Sequence, residues 1–408
     1  MATKHSTDLR IVRNILFLLF ALPGLSFASW VSQTPAVRDL LQISTSEMGI
    51  IIFAIAAGSM IGLLGTGTVI ARKGARWVIM GSSLLILTGF VITGAGITLK
   101  MVPVVIIGLL VFGCGYGSAE VGLNVEGSAV EKALNRTLLP AFHGFFSVGT
   151  LAGAAIGAGA VAVHLPIIAH FSILALLIAA AILYCYRYLP GDTGKEQASS
   201  GEHKASSLKQ QFLVFKEKRT LLIGIIVLGM AFAEGSANDW LPLTMVDGYD
   251  VSSLTGTFVY GLFVAAMTLG RFAGGWVLDR YGRVPVLGGC ASAAVIGIAL
   301  VIWGQHYLIA SVGVVLWGLG ASLGFPVGLS AAGDEPKGAA ARVGAVAATG
   351  YLAFLAGPPF LGFLGEHYGL LRALIIVLIG VIAAGVLSKA ASPLGHVRNH
   401  NNQERLES

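Results

Sequence analysis

Apolar runs of membrane-spanning length recur along almost the whole chain. A transmembrane helix needs about 20 consecutive apolar residues, because the hydrocarbon core of a bilayer is about 30 Å thick. Only 11% of the 408 residues are charged, against about 25% in soluble proteins, which is too few to cover a water-exposed surface. We therefore predict an all-α membrane protein with twelve transmembrane helices in two six-helix bundles. The runs fall at about 12–31, 47–71, 77–98, 101–125, 138–163, 166–187, 220–244, 253–278, 284–304, 307–331, 341–364 and 370–390.

A polar segment at 190–219 separates the runs into two sets of six, and its Ser, Lys and Gly content is typical of a flexible linker. The first run could instead be a signal peptide, since Lys4, Arg10 and Arg13 precede it, but no soluble mature domain follows it. We therefore predict an N-terminal six-helix half at 1–189, a cytoplasmic linker at 190–219, a C-terminal half at 220–390 and a cytoplasmic tail at 391–408.

Lys and Arg residues are distributed unequally between the two sides of the predicted bundle. With the N-terminus inside, all but four of the 26 lie on cytoplasmic segments; the exceptions are Arg38, Lys100 and Arg372 in outer loops and Arg271 within a run. Because positive residues favour the cytoplasmic side, we expect a multi-pass protein of a bacterial inner membrane with both termini cytoplasmic. Orientation also accounts for the net charge of +6, so nucleic acid is not an expected partner.

Glycine motifs repeat in the same order in the two halves. Gly67-x-x-x-Ala-Arg-x-Gly follows the second run and Gly275-x-x-x-Asp-Arg-x-Gly-Arg follows the eighth. Gly113-x-Gly in the fourth run corresponds to Gly318-x-Gly in the tenth, and further glycines match in the fifth and eleventh runs. These pairs indicate a duplicated six-helix unit. Many secondary transporters are built from two such repeats, with the substrate site near the membrane midplane.

The string at 275–283 resembles the loop signature of the major facilitator superfamily, and the resemblance extends over nearly the whole chain. It implies a cytoplasmic latch that favours the outward-facing state. Gly275 is expected to let the eighth helix pack tightly, and Ala71 stands in the first-half copy where the signature has an acid, so we expect one strong latch. The alternative is that these are ordinary positive residues of the cytoplasmic side. The candidate gating residues are Asp279, Arg280, Arg283, Arg271, Arg72 and Arg76.

Ionisable residues within the runs are the main candidates for function, because charged groups at membrane depth cost about 2.5–3.5 kcal/mol on insertion scales. Glu120 and Asn124 are four residues apart in the fourth run, and so share a helix face; Glu234 and Asn238 repeat this spacing in the seventh. A carboxylate and an amide together can bind hydroxyl groups, and nearby aromatic rings could stack on a cyclic ligand. The candidate proton-coupling and binding residues are Glu120, Asn124, Glu234, Asn238, Asp239, Trp240, Trp30, Gln33 and Tyr351.

The Glu-x-x-x-Asn string at 120–124 also resembles the fourth helix of fucose permease-type proton/sugar symporters. The resemblance implies that Glu120 takes part in proton coupling. Those symporters have a further acid in the first helix, whereas here the first acid is Asp39, near the outer end of the first run. A second coupling acid would then be Glu234 or Asp239. The strings at 232–242, 316–326 and 349–354 resemble a family of bacterial inner-membrane proteins.

Several of these residues have alternative interpretations. Glu120 could be a structural acid that binds another helix, and Asp239 could simply face water near the outer end of its run. Glu126 and Glu131 are expected to be solvated near the cytoplasmic loop. Arg271 either pairs with a buried acid or extends its side chain to the interface.

The favoured functional hypothesis is proton-coupled symport of a small polar, sugar-like or polyol-like solute by alternating access. Uptake is favoured over export because polar groups recur on the central helices. The alternatives are a drug/proton antiporter that exports amphipathic compounds and a membrane sensor without transport. No nucleotide-binding loop, HExxH or Gly-x-Ser-x-Gly motif occurs. We therefore expect no enzymatic activity, no cofactor, no metal and a monomer in the lipid bilayer.

Overall fold

The computed structural model describes residues 9–136, 138–195, 214–335 and 338–394. Most of the predicted linker and most of the predicted tail lie outside these residues. The described residues form helices joined by short turns. In chain order these are α1 Leu9–Val31, α2 Thr34–Leu41, α3 Thr45–Lys73, α4 Ala75–Thr98, α5 Val102–Leu134, α6 Leu139–Ala162, α7 Ile167–Cys185, α8 Lys218–Tyr249, α9 Ser253–Tyr281, α10 Arg283–Trp303, α11 Tyr307–Ala321, α12 Gly324–Ala332, α13 Ala339–Tyr368, α14 Leu370–Leu387 and the 3₁₀ helix Ser388–Ala391.

Twelve spans in the described part of the chain are long and apolar enough to cross a membrane, with α11 and α12 together forming one of them. The predicted all-α membrane fold is thus confirmed. The structure adds the short helix α2 and a break in the tenth span at Ser322 and Leu323. It also extends α5 to Leu134, beyond the predicted end of its run at 125. The apolar pattern stops there because acidic residues enter the helix, although the helical backbone continues.

Local signals explain several helix ends. Ser44 and Glu47 form a reciprocal capping box at the start of α3, which satisfies two backbone N–H groups that a helix start leaves free. Gly74 and Gly282 each close one of the two similar glycine motifs, between α3 and α4 and between α9 and α10. Their φ angles are 90° and 78°, a region in which a side chain would be strained. Each glycine lets one helix end and the next begin without an intervening loop.

Two compact units divide the described residues. The first contains those of residues 1–201 together with Ser252–Gly261, and the second contains those of residues 202–251 and Leu262–Ser408. The beginning of α9 therefore belongs with the first unit, where the Thr257 hydroxyl donates to the backbone oxygen of Ser32 at 3.1 Å.

Close helix contacts in the first unit depend on glycine. A Cβ atom at Gly113 or Gly117 of α5 would overlap the backbone oxygen of Ile55 or Ser59 on α3. A Cβ atom at Gly149 or Gly153 of α6 would overlap the oxygen of Ala21 or Leu25 on α1. These stripes let the backbones approach, as small residues do in membrane bundles. The prediction that Gly275 provides tight packing is wrong, since no atom lies within 4 Å of the position its Cβ would take.

Replacing Gly153 by valine is expected to disrupt the first unit. The added side chain must push against main-chain atoms of Leu25, which cannot rotate away, and overpacking of this kind costs typically about 1–3 kcal/mol. We expect a lower melting temperature and less monodisperse protein on size-exclusion chromatography in detergent. Gly159→Val on the same helix is the control, because nothing lies within 4 Å of its Cβ position. Equal behaviour of the two variants would contradict the assignment.

Candidate substrate and proton site

The first group of candidate residues lies on α5 and α6. The Asn124 side chain donates to the main-chain oxygen of Glu120 at 2.8 Å, so the two residues share a face but are not joined through their side chains. The Asn124 Oδ1 lies 3.0 Å from His143 Nε2 on α6. Glu120 as a whole residue is exposed in the first unit. The arrangement presents a carboxylate and an amide–imidazole pair on a common surface of the unit.

The second group is centred on an ion pair in the second unit. Arg271 Nη2 donates to Glu234 Oε1 at 2.7 Å, and the exposed fractions of the two side chains are 28% and 13%. Both residues lie far from the ends of their helices, α9 and α8. Of the two alternatives for Arg271, pairing with an acid of the bundle is thus the one observed. Each charge offsets part of the other's desolvation cost.

Polar and aromatic residues near Glu234 differ in their accessibility. Asn238 and Asp239 are half-buried, and Trp240 is buried with its indole N–H lacking a hydrogen-bond partner. Tyr351 of α13 is half-buried, with its ring 6.5 Å from that of Phe325. The Trp240 ring therefore presents no open face for stacking on a ligand in this conformation, whereas Asn238, Asp239 and Tyr351 keep part of their surface accessible.

Trp30 and Gln33 lie in the core of the first unit. Trp30 packs beside Phe171, with ring centroids 6.4 Å apart. Gln33 Nε2 lies 3.1 Å from His170 Nδ1, and both side chains are buried. Sequence reasoning missed His170, although a histidine inside an apolar run is itself a signal of a polar contact within the bundle. The structure does not bring Trp30 and Gln33 to the surface that carries Glu120.

The candidate gating residues separate into paired and exposed groups. Arg283 Nη1 donates to Asp334 Oδ1 at 2.6 Å and its Nη2 to Ser330 Oγ at 3.0 Å. Arg219 Nη2 donates to Asp334 Oδ2 at 2.7 Å, and the Asp334 side chain is only 3% exposed. Arg219 also donates to the backbone oxygens of Ala331 and Ser392. Sequence reasoning missed Asp334 because it lies beyond the apolar run that precedes it.

The remaining gating candidates lie apart from Asp334. Asp279 and Arg280 are exposed, and the Arg280 guanidinium lies over the rings of Trp276 and Tyr281 at 5.8 and 5.7 Å. In the first unit Arg72 is exposed, and the Arg76 guanidinium lies 3.7 Å from the centre of the Tyr186 ring. Among the signature residues, Arg283 pairs with the buried carboxylate of Asp334.

The expectation that Glu126 is solvated is wrong, because its side chain is fully buried. The reason is that α5 continues to Leu134 and packs along α4, with Gly122 against Val78 and Ile79. The Glu131 carboxylate also makes hydrogen bonds within the protein. Its Oε2 accepts from the backbone N–H groups of Leu138 and Leu139 at 2.6 and 2.9 Å. It thereby caps the start of α6.

A further ion pair joins the start of α8 to α13. Arg342 Nε donates to Glu217 Oε2 at 2.6 Å and its Nη2 to Glu217 Oε1 at 3.1 Å. Arg342 Nη2 also lies 3.0 Å from a carboxylate oxygen of Glu335. The hydrogen bond from Arg342 lowers the pKa of Glu217, because it stabilises the ionised carboxylate. This pair lies outside the apolar core, at the end of the helices where Asp334 also lies.

Twelve apolar helices with acids and an arginine inside their spans define a polytopic membrane transporter rather than an anchored soluble protein. The model of the Major Facilitator Superfamily matches residues 139–358. The chain belongs to this superfamily, whose members are transporters and not enzymes.

Relatives and solved structures agree with this assignment over nearly the full length. The chain is 29% identical over 376 residues to an uncharacterized MFS-type transporter of Yersinia pestis, covering 92% of this chain and 93% of that one. It is 26% identical over 371 residues to the membrane protein MosC of Rhizobium meliloti, covering 90% and 86%. A structure of the nucleoside transporter NupG has a TM-score of 0.74 at 17% identity, covering 93% of this chain and 98% of that one. An outward-conformation structure of FucP has a TM-score of 0.65 at 13% identity, covering 94% and 99%. At these identities the structures establish the fold alone.

Proposed function

We propose that the protein is a proton-coupled symporter that carries a small polar, sugar-like or polyol-like solute by alternating access. The observation that carries the proposal is the set of ionisable side chains inside the spans, with Glu120 exposed on α5 and Glu234 paired with Arg271 in the second unit. Groups of this kind are costly in a membrane and mark proton and substrate pathways. A membrane potential of roughly 150 mV would supply about 3.5 kcal/mol for each proton that enters.

Glu120 is the proposed coupling residue. Glu120 is exposed and shares a helix face with Asn124, which contacts His143. We propose that Glu120 exchanges the proton on this face while the amide of Asn124 binds solute. Glu234 is paired with Arg271, and a proton reaches its carboxylate only when that pair is broken.

The proposed substrate class and location are supported by the fold and by the distribution of charged residues. FucP, a fucose:proton symporter of E. coli, and the nucleoside transporter NupG share the fold, and both are named for solutes rich in hydroxyl groups. The unequal distribution of Lys and Arg supports an inner-membrane protein with cytoplasmic termini. The strings at 232–242 and 316–326 resemble the bacterial inner-membrane protein YbjJ, which supports the same location. We propose that the protein acts as a monomer.

Flux measurements on purified full-length protein in liposomes test the proposal. Sugars, polyols and organic acids are first screened for their effect on the melting temperature, and those that bind are then added outside liposomes that contain a pH-sensitive dye. Symport predicts internal acidification when the solute enters. Internal alkalinisation on addition of an amphipathic drug would instead support drug/proton antiport, and no solute-dependent proton movement with any binding solute would contradict proton coupling.

Glu120→Gln is expected to abolish solute uptake driven by a pH gradient while exchange of labelled for unlabelled solute remains measurable. Glutamine keeps the size and hydrogen bonding of the side chain but cannot take up a proton. Glu366→Gln, near the end of α13, is the matched control and should leave both activities near the wild-type level. Unchanged proton-driven uptake by Glu120→Gln would remove Glu120 from its proposed role.

A further inference from the structure

We propose that the transported solute carries a carboxylate group, which binds Arg271 while Glu234 takes up a proton. The inference rests on the proposed symport function and narrows its substrate class from polar solutes in general to acidic ones, such as sugar acids. When no cargo is bound, the Glu234 carboxylate takes the place of the cargo carboxylate on Arg271. The position of Arg271, the chemistry of its contact and the charge balance of the pair support the inference.

Arg271 lies unusually far from both ends of its membrane span. Within the described residues, it is the only Lys or Arg in a predicted span that lies more than five residues from the end of that span. A cation at this depth is costly and is retained where it serves a pathway or a ligand. The other span arginines, including Arg283 and Arg342, are near helix ends, where water can solvate them.

The contact that Arg271 makes is of the kind that recognises carboxylates. A planar guanidinium presents parallel N–H donors that match the two oxygens of a carboxylate. Its 2.7 Å hydrogen bond to Glu234 runs between Nη2 and Oε1. Both side chains remain partly exposed, so a second carboxylate can reach the guanidinium without the helices first separating.

The tenth span is interrupted next to the part of α9 that carries Arg271. The neighbouring positions Gly270 and Gly274 lie directly against Ser322 and Leu323, at the break between α11 and α12. The break therefore packs against the same turns of α9 from which Arg271 extends. Interrupted helices of this type line substrate sites in other transporters.

Charge balance explains why a proton accompanies the cargo. Arg271 and Glu234 together are neutral, and a cargo carboxylate that entered alone would leave one net negative charge in a medium of low dielectric constant. A proton from the aqueous phase that binds a Glu234 carboxylate oxygen restores neutrality. Arg271 then pairs with the cargo, and release of cargo and proton on the other side restores the original pair. Cargo binding should therefore tighten as the pH falls, and the proton that Glu234 takes up is additional to the one that Glu120 is proposed to carry.

The titratable neighbours leave this exchange to Glu234. At its level, Gly235 meets the Phe354 ring of α13, and Tyr351 lies one turn earlier on that helix. On α8 itself the half-buried Asp239 lies more than one turn away. On α9, the other titratable groups are Tyr260 within the span and Asp279, Arg280 and Tyr281 near its C-terminal end. The remaining titratable groups on α8 and on the other elements packed against it lie near helix ends: Lys218, Arg219, Asp247, Tyr249, Tyr307, Arg342, Glu366, His367, Tyr368, Arg372 and Lys389.

A rescue experiment with formate tests the inference and does not require that the cargo be identified. Glu234→Ala removes the internal carboxylate, and Glu234→Gln is a second variant of nearly unchanged size in case the first does not fold. The melting temperature of each purified full-length variant is measured in sodium formate, in sodium chloride of equal ionic strength and in the neutral analogue formamide. We expect formate, but not the other two, to raise the melting temperature by about 1 °C or more, the shift that several-fold saturation of one site gives a chain of this size.

The double variant Glu234→Ala/Arg271→Gln is the control and should show no specific effect of formate. The inference is overturned if formate acts no better than chloride in the folded single variants, or if the double variant responds equally. Either result would make the cargo site independent of Arg271 and leave a neutral solute as the substrate. Failure of proton-coupled transport itself would appear in the liposome assay instead, so the two failures are distinguishable.

Discussion

Replacing Asp334 by alanine is expected to lower the free energy of unfolding by about 3 kcal/mol, the scale found when one partner of a buried ion pair is removed. The Asp334 side chain is 3% exposed and receives hydrogen bonds from both Arg219 and Arg283. Its loss would leave two guanidinium groups close together without their shared anion. The melting temperature of purified protein in detergent should fall by several degrees.

Two further variants serve as comparisons for the stability of Asp334→Ala. Asp334→Asn keeps two hydrogen-bonding atoms but removes the charge, so its loss of stability should be intermediate. Asp192→Ala breaks a pair with Lys195 in which the acid is 77% exposed, and exposed pairs contribute only about 0–1 kcal/mol. A melting temperature of Asp334→Ala as high as that of Asp192→Ala would show that the Asp334 cluster does not stabilise the second unit.

Removing either member of the Arg271–Glu234 pair should lower both stability and transport. Glu234→Leu removes the carboxylate that neutralises Arg271, and a charged residue at membrane depth costs about 2.5–3.5 kcal/mol on insertion scales. Arg271→Leu leaves the acid, which can take up a proton and become neutral. We therefore expect Glu234→Leu to be the less stable of the two single variants.

The double variant Glu234→Leu/Arg271→Leu separates stability from transport. Both charges are then absent, so the melting temperature should recover to near the wild-type value, whereas proton-driven uptake should stay at least tenfold below it. A double variant whose loss of stability equals the sum of the single losses would contradict an energetic coupling between the two residues. Recovery of transport together with stability would limit the pair to a structural role.

The spans were predictable from the sequence because the constraint on them is local. A helix in lipid must satisfy its own backbone hydrogen bonds and present apolar side chains for about 20 residues, and this pattern can be read one run at a time. The continuation of α5 to Leu134 was not predictable in this way. Its last turns leave the apolar pattern, and Glu126 is buried there by packing against a neighbouring helix rather than by its own run.

Which side chains pair with each other could not be predicted from the positions of the helices along the chain. The spacing of Glu234 and Asn238 indicated a polar face on α8, but whether Arg271 of α9 would reach that face depended on the rotation and relative depth of the two helices. The same holds for Gln33 with His170 and for Arg283 with Asp334. In the last case the sequence motif indicated one partner of the ion pair and not the other.

By itself the sequence determined the twelve spans and the superfamily, because hydrophobic length and the loop signature are properties of single segments. The tertiary structure alone decided which ionisable groups pair and which remain accessible. It leaves Glu120 exposed, joins Glu234 to Arg271 and buries Glu126. The physical reason is that a charge in a membrane bundle is stabilised by a partner from another helix, and helix packing brings that partner into contact.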